Sequence, residues 1–135
     1  MFAITVNNSI ERRYTNNGQH AEMCLRYTLT GKIEKADNRP ATECADCLDI
    51  QIKSARATVC KGLNLDAYLA NDRAKRYAYV LADFSKAYIM EPEEYKAFCR
   101  AFATPTREST ANGGGDKLRL KSESKALRAW LQARA

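Results

Sequence analysis

The amino-acid sequence predicts an α+β (mixed α/β) fold in a single domain over residues 1–135. Three segments carry this prediction. Residues 48–53 alternate apolar and polar side chains, as a half-buried strand does. Residues 77–82 form a near-continuous apolar run, which is typical of a central strand. Residues 91–102 begin with Glu91-Pro92-Glu93-Glu94, where the proline and the acidic side chains favour the first turn of a helix.

The first part of the chain is expected to form a strand and then a helix. Residues 2–6 are mostly apolar and end at a polar turn sequence. Asn16-Asn17-Gly18 is a turn and capping signal, and apolar side chains recur at helical spacing from there to Leu29. Gly31 is a suitable residue to end that helix. Residues 32–45 are polar and mixed, which indicates a loop.

The middle of the chain alternates between strand and helix signals. Residues 55–60 are expected to continue the 48–53 strand or to pair with it, and residues 64–70 form a short helix candidate. The segments 77–82 and 86–90 read as two strands of a hairpin joined by a turn at residues 83–85. A central mixed sheet flanked by helices follows from this order.

The last part of the chain is expected to be a loop followed by a basic strand and helix. Pro105 and three consecutive glycines predict a flexible loop over residues 104–116. Residues 117–121 read as a strand, and Ser122 can cap a final helix. The basic strand-helix unit covers residues 117–134. Its helix places on one apolar face the side chains of Ala126, Leu127, Trp130 and Leu131.

The net charge of +6 is concentrated at the end of the chain. Residues 117–135 contain six Lys and Arg residues against one Glu, a local net charge of +5. Such a basic segment attracts phosphates and steers association with nucleic acid. The alternative interpretation is a solvated helix face without a partner.

The five cysteines are expected to be reduced thiols in a cytoplasmic protein. The number is odd, and the first residues lack the basic and apolar regions of a signal peptide. Cys44 and Cys47 form a CxxC pair, but zinc needs a second ligand pair at comparable spacing, and Cys60 and Cys99 are lone cysteines while His20 is the single histidine. We therefore expect neither a zinc site nor a redox motif.

Several function classes are excluded by missing motifs. No apolar run approaches the length of about 20 residues that a membrane span needs. The phosphate-binding sequences GxxxxGK[ST] and GxGxxG are absent, so no nucleotide cofactor is expected. No serine lies in a nucleophile-elbow motif.

The segment with the clearest chemical pattern contains Gln51 and Lys53. Two positions apart on a strand, their side chains lie on one face at a separation of about 6.6 Å. A lysine ammonium can orient an attacking water and offset charge on a scissile phosphate, while an amide oxygen can bind Mg²⁺. A carboxylate must then come from nearby, because Gln51 cannot act as a base.

With Asp46 upstream, the sequence Gln51-Ile52-Lys53 resembles the PD-(D/E)xK nuclease superfamily, specifically its variants with Gln in the (E/Q)xK motif. The resemblance covers roughly residues 17–90 and implies a restriction-endonuclease-like core. It implies that Asp46 is the main magnesium ligand, Gln51 the second ligand and Lys53 the catalytic lysine. It also implies that Glu22, on the preceding helix, helps to set the metal or its water.

The spacing leaves the identity of the carboxylate open. An odd separation puts Asp46 on the opposite face of a regular strand from Gln51, unless a bulge or turn intervenes. Asp49 is in phase with Gln51 and Lys53, and Asp37 has the separation that is more usual in the family. A simpler interpretation is that Asp49, Gln51 and Lys53 form the wet face of an edge strand.

Together these features predict a Mg²⁺-dependent endodeoxyribonuclease of the type II restriction kind that acts on DNA as a homodimer. The alternative is a DNA-binding or protein-binding module on the same fold without catalysis. If the protein binds DNA, we expect the following basic residues to contact the nucleic-acid backbone: Arg56, Lys117, Arg119, Lys121, Lys125 and Arg128.

Overall fold

A computed structural model describes residues 1–32, 49–108 and 115–135, and within them it contains seven strands and four helices. The strands are β1 Phe2–Thr5, β2 Ile50–Lys53, β3 Thr58–Lys61, β4 Arg76–Val80, β5 Lys86–Met90, β6 Ala103–Glu108 and β7 Gly115–Leu120. The helices are α1 Asn17–Thr30, α2 Leu65–Ala70, α3 Pro92–Phe102 and α4 Lys125–Arg134.

Four strands form a mixed sheet, sheet A, in the order β1-β5-β4-β2. β4 and β5 are the antiparallel hairpin that the sequence predicts, and β1 pairs with the outer side of β5. β2 runs parallel to β4, with Gln51 beside Tyr77 and Lys53 beside Tyr79. The apolar run at residues 77–82 is therefore central, as its composition indicates.

The two faces of sheet A are covered by different elements. Alternation along the strands sends small and aliphatic side chains to the face that α1 covers, among them Ala78, Val80 and Ile89. The other face carries tyrosines and Met90, which pack against α2, α3, α4 and the second sheet. On β2 the same alternation turns Ile50 and Ile52 toward α1, so Gln51 and Lys53 belong to the face with the tyrosines.

The second sheet, sheet B, has the order β3-β7-β6, and it corrects two expectations. Residues 55–60 neither continue β2 nor pair with it, because a turn at 54–57 redirects the chain and β3 pairs with β7. The predicted loop at 104–116 is a strand on both sides: 103–108 belong to β6 and 115–116 to β7. Pro105 is tolerated because β6 is an edge strand of this sheet, where one missing N–H costs little.

Capping residues define where the helices begin and end. Asn16 caps α1 by accepting a hydrogen bond from the Gln19 amide, and Gly31 ends that helix in the left-handed conformation with φ of 74°. Helix α4 is capped by Ser124, not by the predicted Ser122. The α+β fold class is confirmed, with a mixed central sheet between helices.

Candidate functional site

Lys53 lies at the end of β2 in a half-buried position. Its Nζ donates a hydrogen bond of 2.9 Å to the backbone oxygen of Thr58, the first residue of β3. Burial lowers the pKa of the Lys53 ammonium, and the negative charges of Asp72 and, more weakly, Glu22 oppose that shift. The lysine is therefore held in place by the protein at the junction between the two sheets.

The other predicted site residues lie around β2 in different directions. Gln51 shares the sheet face of Lys53. Glu22 lies on α1, the helix that covers the opposite face, and its Oε1 is 2.5 Å from the Arg26 guanidinium in an ion pair. Asp49 precedes β2 with a left-handed φ of 56°, and its carboxylate is 3.4 Å from the Lys75 ammonium.

The remaining predicted ligands fall outside the described residues. This applies to Asp46 and Asp37, and also to the CxxC cysteines Cys44 and Cys47. Across residues 1–32, 49–108 and 115–135, no three His, Cys, Asp or Glu side chains are grouped so that they could hold a metal ion. The described residues therefore supply no complete magnesium site by themselves.

A layer of tyrosine and cysteine side chains packs beneath Lys53 on the same sheet face. Tyr77 donates a 2.9 Å hydrogen bond to Asp72 and stacks on Tyr95 with ring centroids 4.0 Å apart. Burial raises the pKa of the Cys99 thiol to about 12, so this cysteine stays protonated and unreactive at neutral pH. Cys24, Cys60 and Cys99 are all buried free thiols, in agreement with the expectation of reduced cysteines.

The outward side of sheet B gathers basic side chains from strands that are distant in sequence. Residues directly opposite in antiparallel strands share a face, and the register pairs Lys61 of β3 with Lys117 of β7. Two residues further along β7, Arg119 is opposite both Thr58 and Thr104, while Lys117 is also opposite Thr106. We call these six side chains the basic face: Thr58, Lys61, Thr104, Thr106, Lys117 and Arg119.

The basic face is accessible, and its arginine is held by the backbone. Lys61 and Arg119 are exposed, and Lys117 is half-buried. The Nε of Arg119 donates a 2.6 Å hydrogen bond to the backbone oxygen of Arg56, which itself sits in a turn with φ of 65°. The Nε of Arg56 in turn donates to the Ser122 hydroxyl at 3.1 Å. Lys121 follows directly on β7 and is exposed.

The two predicted DNA contacts on α4 have a different setting. Lys125 is exposed in the first turn of the helix. Arg128 is 3.7 Å from Glu123, and the other oxygen of this carboxylate accepts hydrogen bonds from the Tyr79 hydroxyl and the Ala82 amide, both at 3.0 Å. The Glu123 carboxylate thus connects the start of α4 to sheet A, and Arg128 has this carboxylate as a structural partner.

Four members of the basic face are not among the predicted contacts: Thr58, Lys61, Thr104 and Thr106. Lys61 was not grouped with the C-terminal cations because nothing local indicates that β3 pairs with β7. The alternation Thr104-Pro105-Thr106 was a usable strand signal, but the proline and the nearby glycines favoured a loop. The signal that could have recovered the face is the pairing of β-branched and basic residues at every second position.

His20 lies apart from both groups. It is buried in the first turns of α1, with its ring edge-on to Phe84 and its Nε2 at 3.5 Å from the Cys24 sulfur. Burial, reinforced by the positive charge of Arg12, lowers the pKa of this histidine. Its surroundings are those of a neutral packing residue, not of the surface residue that its place near the helix start indicates.

Comparison with known proteins finds no matching family model, no similar curated protein and no similar solved structure. In the three described segments, none of the helices combines the length and the apolarity required to cross a membrane.

Proposed function

We propose that the protein binds the sugar-phosphate backbone of DNA through the basic face of sheet B. The observation that carries this proposal is the cross-strand pairing of Lys61 with Lys117, with Arg119 two residues along the same strand. The phosphates of a polyanion are attracted to cations that are clustered in this way.

The neighbouring side chains suit the same ligand. Hydroxyl groups of threonine donate hydrogen bonds to phosphate oxygens, and three threonines stand between the cations of this face. The Arg119 guanidinium is oriented by its bond to the Arg56 backbone, so less side-chain freedom is lost when it contacts a phosphate. Arg56 and Lys121 extend the positive surface at one end.

Fluorescence anisotropy with a labelled DNA duplex tests this proposal. Each phosphate contact contributes about 0.9 to the slope of log affinity against log salt, so replacing three contacting cations should lower that slope by about 2.7. The test variant combines Lys61→Gln, Lys117→Gln and Arg119→Gln. The control variant carries Arg73→Gln, Lys75→Gln and Lys86→Gln, the same loss of charge outside sheet B. Equal slopes for the two variants would contradict the proposal.

A second candidate function is hydrolysis of the bound DNA at Lys53. The favouring observation is that this half-buried lysine bonds to Thr58, a member of the basic face, and that burial lowers its pKa. Lysines perturbed in this way are enriched at functional sites. Magnesium would supply Lewis-acid stabilisation of the phosphate, with Asp46 and Gln51 as the proposed ligands. Glu22 does not fit this set, because it lies on the helix that covers the opposite face and pairs with Arg26. The described residues do not complete such a site, so this candidate depends on Asp46.

Nicking of supercoiled plasmid in the presence of Mg²⁺ tests the second candidate. Lys53→Met and Asp46→Asn should each abolish nicking while duplex affinity stays near that of the unmodified chain. Cutting of both strands at one site would indicate a homodimer, because one copy carries one site. If the protein binds the plasmid but does not nick it at any Mg²⁺ concentration, the hydrolysis candidate is contradicted and DNA binding is the function that remains.

A further inference from the structure

The chemistry of the basic face distinguishes between classes of nucleic acid. Proteins that hold single strands combine a basic groove with aromatic side chains on which the bases stack. None of the six side chains of the basic face is aromatic. The aromatic side chains of β4 and β5 and two of those on α3 are buried in the inner cluster: Tyr77, Tyr79, Tyr88, Tyr95 and Phe98. Phe102, directly before β6, is half-buried, and the exposed Tyr68 lies on α2 outside sheet B.

The geometry of β7 fits a phosphate row of regular spacing. Lys117 and Arg119 are alternate residues of one strand, so their side chains leave the sheet about 6.8 Å apart. Phosphates of one B-DNA strand advance about 3.4 Å along the axis for each base pair and also wind round it, so successive phosphates are about 7 Å apart in space. Thr104 and Thr106 repeat this spacing on the adjacent strand. Flexible single strands do not maintain such a repeat.

The two arginines are already oriented in the protein. Arg119 uses its Nε to bond the Arg56 backbone, and Arg56 uses its Nε to bond Ser122, so neither bond involves the two Nη nitrogens. A guanidinium presents its donors in a fixed fork, and restraining one side of the fork restrains the other. Oriented donors favour a rigid row of phosphates over a mobile chain.

Resting on the proposed function, we infer that the ligand of the basic face is double-stranded DNA, held by its backbone without reading of the bases. A duplex keeps the faces of its bases stacked internally, and it carries its phosphates and sugars along the outside of the helix. It also carries a higher density of charge than a single strand. The face offers charged and hydroxyl donors for phosphates and no surface on which a base could stack.

The test compares a duplex with its separated strands by anisotropy over a range of salt concentrations. The three cations of the basic face, together with Arg56 and Lys121, make five phosphate contacts. The expected slopes of log affinity against log salt are then about −4.5 for the duplex and about −3.5 for a single strand. If both electrostatic contributions vanish near 1 M salt, the expected affinity for the duplex is about twentyfold higher at roughly 50 mM salt. Duplexes of unrelated sequence should bind within about twofold of one another, since phosphate contacts carry no sequence information.

The outcomes separate this inference from the proposed function. Equal or tighter binding of single strands through the basic face would overturn the inference and leave backbone binding intact. A strong preference for one duplex sequence would also overturn it. Failure to bind either form would overturn both. Arg119→Lys provides a second readout, because it keeps the charge but loses the fork: duplex affinity should fall severalfold while the salt slope stays the same.

Discussion

The pairing of Lys61 with Lys117 predicts that one substitution changes stability and DNA affinity in opposite directions. Lys61→Thr removes one of two like charges that the register places opposite each other. Cross-strand charge pairs are worth about 0.2–1 kcal/mol. Lys61 is exposed and therefore screened by solvent, so the lower half of that range applies. The expected gain is about 0.2–0.5 kcal/mol, or about 1–2 °C in Tm for a chain of this length.

The same substitution should weaken duplex binding. If the counterion-release contribution of one contact vanishes near 1 M salt, losing the contact reduces affinity about fifteenfold at roughly 50 mM salt and about fourfold at roughly 200 mM. Thermal unfolding followed by circular dichroism measures the first effect, and anisotropy at the two salt concentrations measures the second. Because screening reduces the repulsion, the gain in Tm should shrink as salt is added.

Lys86→Thr is a matched control for both measurements. Lys86 is an exposed lysine on β5 that lies opposite Thr5, so the same chemical change there relieves no like-charge pair. Any gain from the higher strand propensity of threonine is common to the two variants. The reasoning is refuted if Lys61→Thr is no more stabilising than Lys86→Thr at low salt and binds DNA equally well.

Three further predictions concern the elements that pack against sheet A. The folded-state pKa of His20 is below its usual 6.5, so the unfolded state binds more protons between the two values, and the free energy of unfolding should fall as pH drops below 6.5; denaturant titrations should show a flatter profile for His20→Gln. Asn16→Ala removes the cap bond to the Gln19 amide and should cost about 1 kcal/mol in urea unfolding, whereas an unchanged midpoint would argue against the cap. Glu123→Ala leaves the Tyr79 hydroxyl without its carboxylate partner and should cost about 1–3 kcal/mol, part of which Tyr79→Phe should restore in the double variant.

Elements with strong local signals could be predicted from the sequence. The β4–β5 hairpin combines an apolar run with a short polar turn, and α3 combines Pro92 with acidic residues in its first turn. In both cases the residues that specify the element are adjacent in the chain. Local propensity and tertiary packing favour the same structure there, so the prediction and the structure agree.

Strand β6 could not be predicted, because its local signals conflict with its tertiary environment. Pro105 indicates a break in secondary structure, but at the edge of sheet B its missing N–H does not interrupt a central ladder. The pairing with β7 supplies the hydrogen bonds that make the segment a strand. Edge strands are stabilised by such non-local pairing, and the pattern of adjacent residues carries no information about the partner strand.

The candidate site shows the same division. The common face of Gln51 and Lys53 followed correctly from strand alternation. Helix α1, which carries Glu22, covers the opposite face of sheet A from Gln51 and Lys53. This placement depends on how the helix packs, so no local sequence signal predicts it. The joining of Lys61 to the C-terminal cations depends on the register between β3 and β7, which are far apart in sequence. The roles of Asp46 and Gln51 as metal ligands remain predictions.

An NMR titration tests the central claim most directly, since it locates the surface that DNA contacts. In ¹H–¹⁵N spectra of the labelled protein, addition of a short duplex should shift the amide signals of β7 and of its neighbours in β3 and β6, together with Arg56. Signals of α1 and of the β4–β5 hairpin should remain in place. Shifts confined to helix α4 or to sheet A, with the signals of sheet B unchanged, would contradict a binding surface on the basic face.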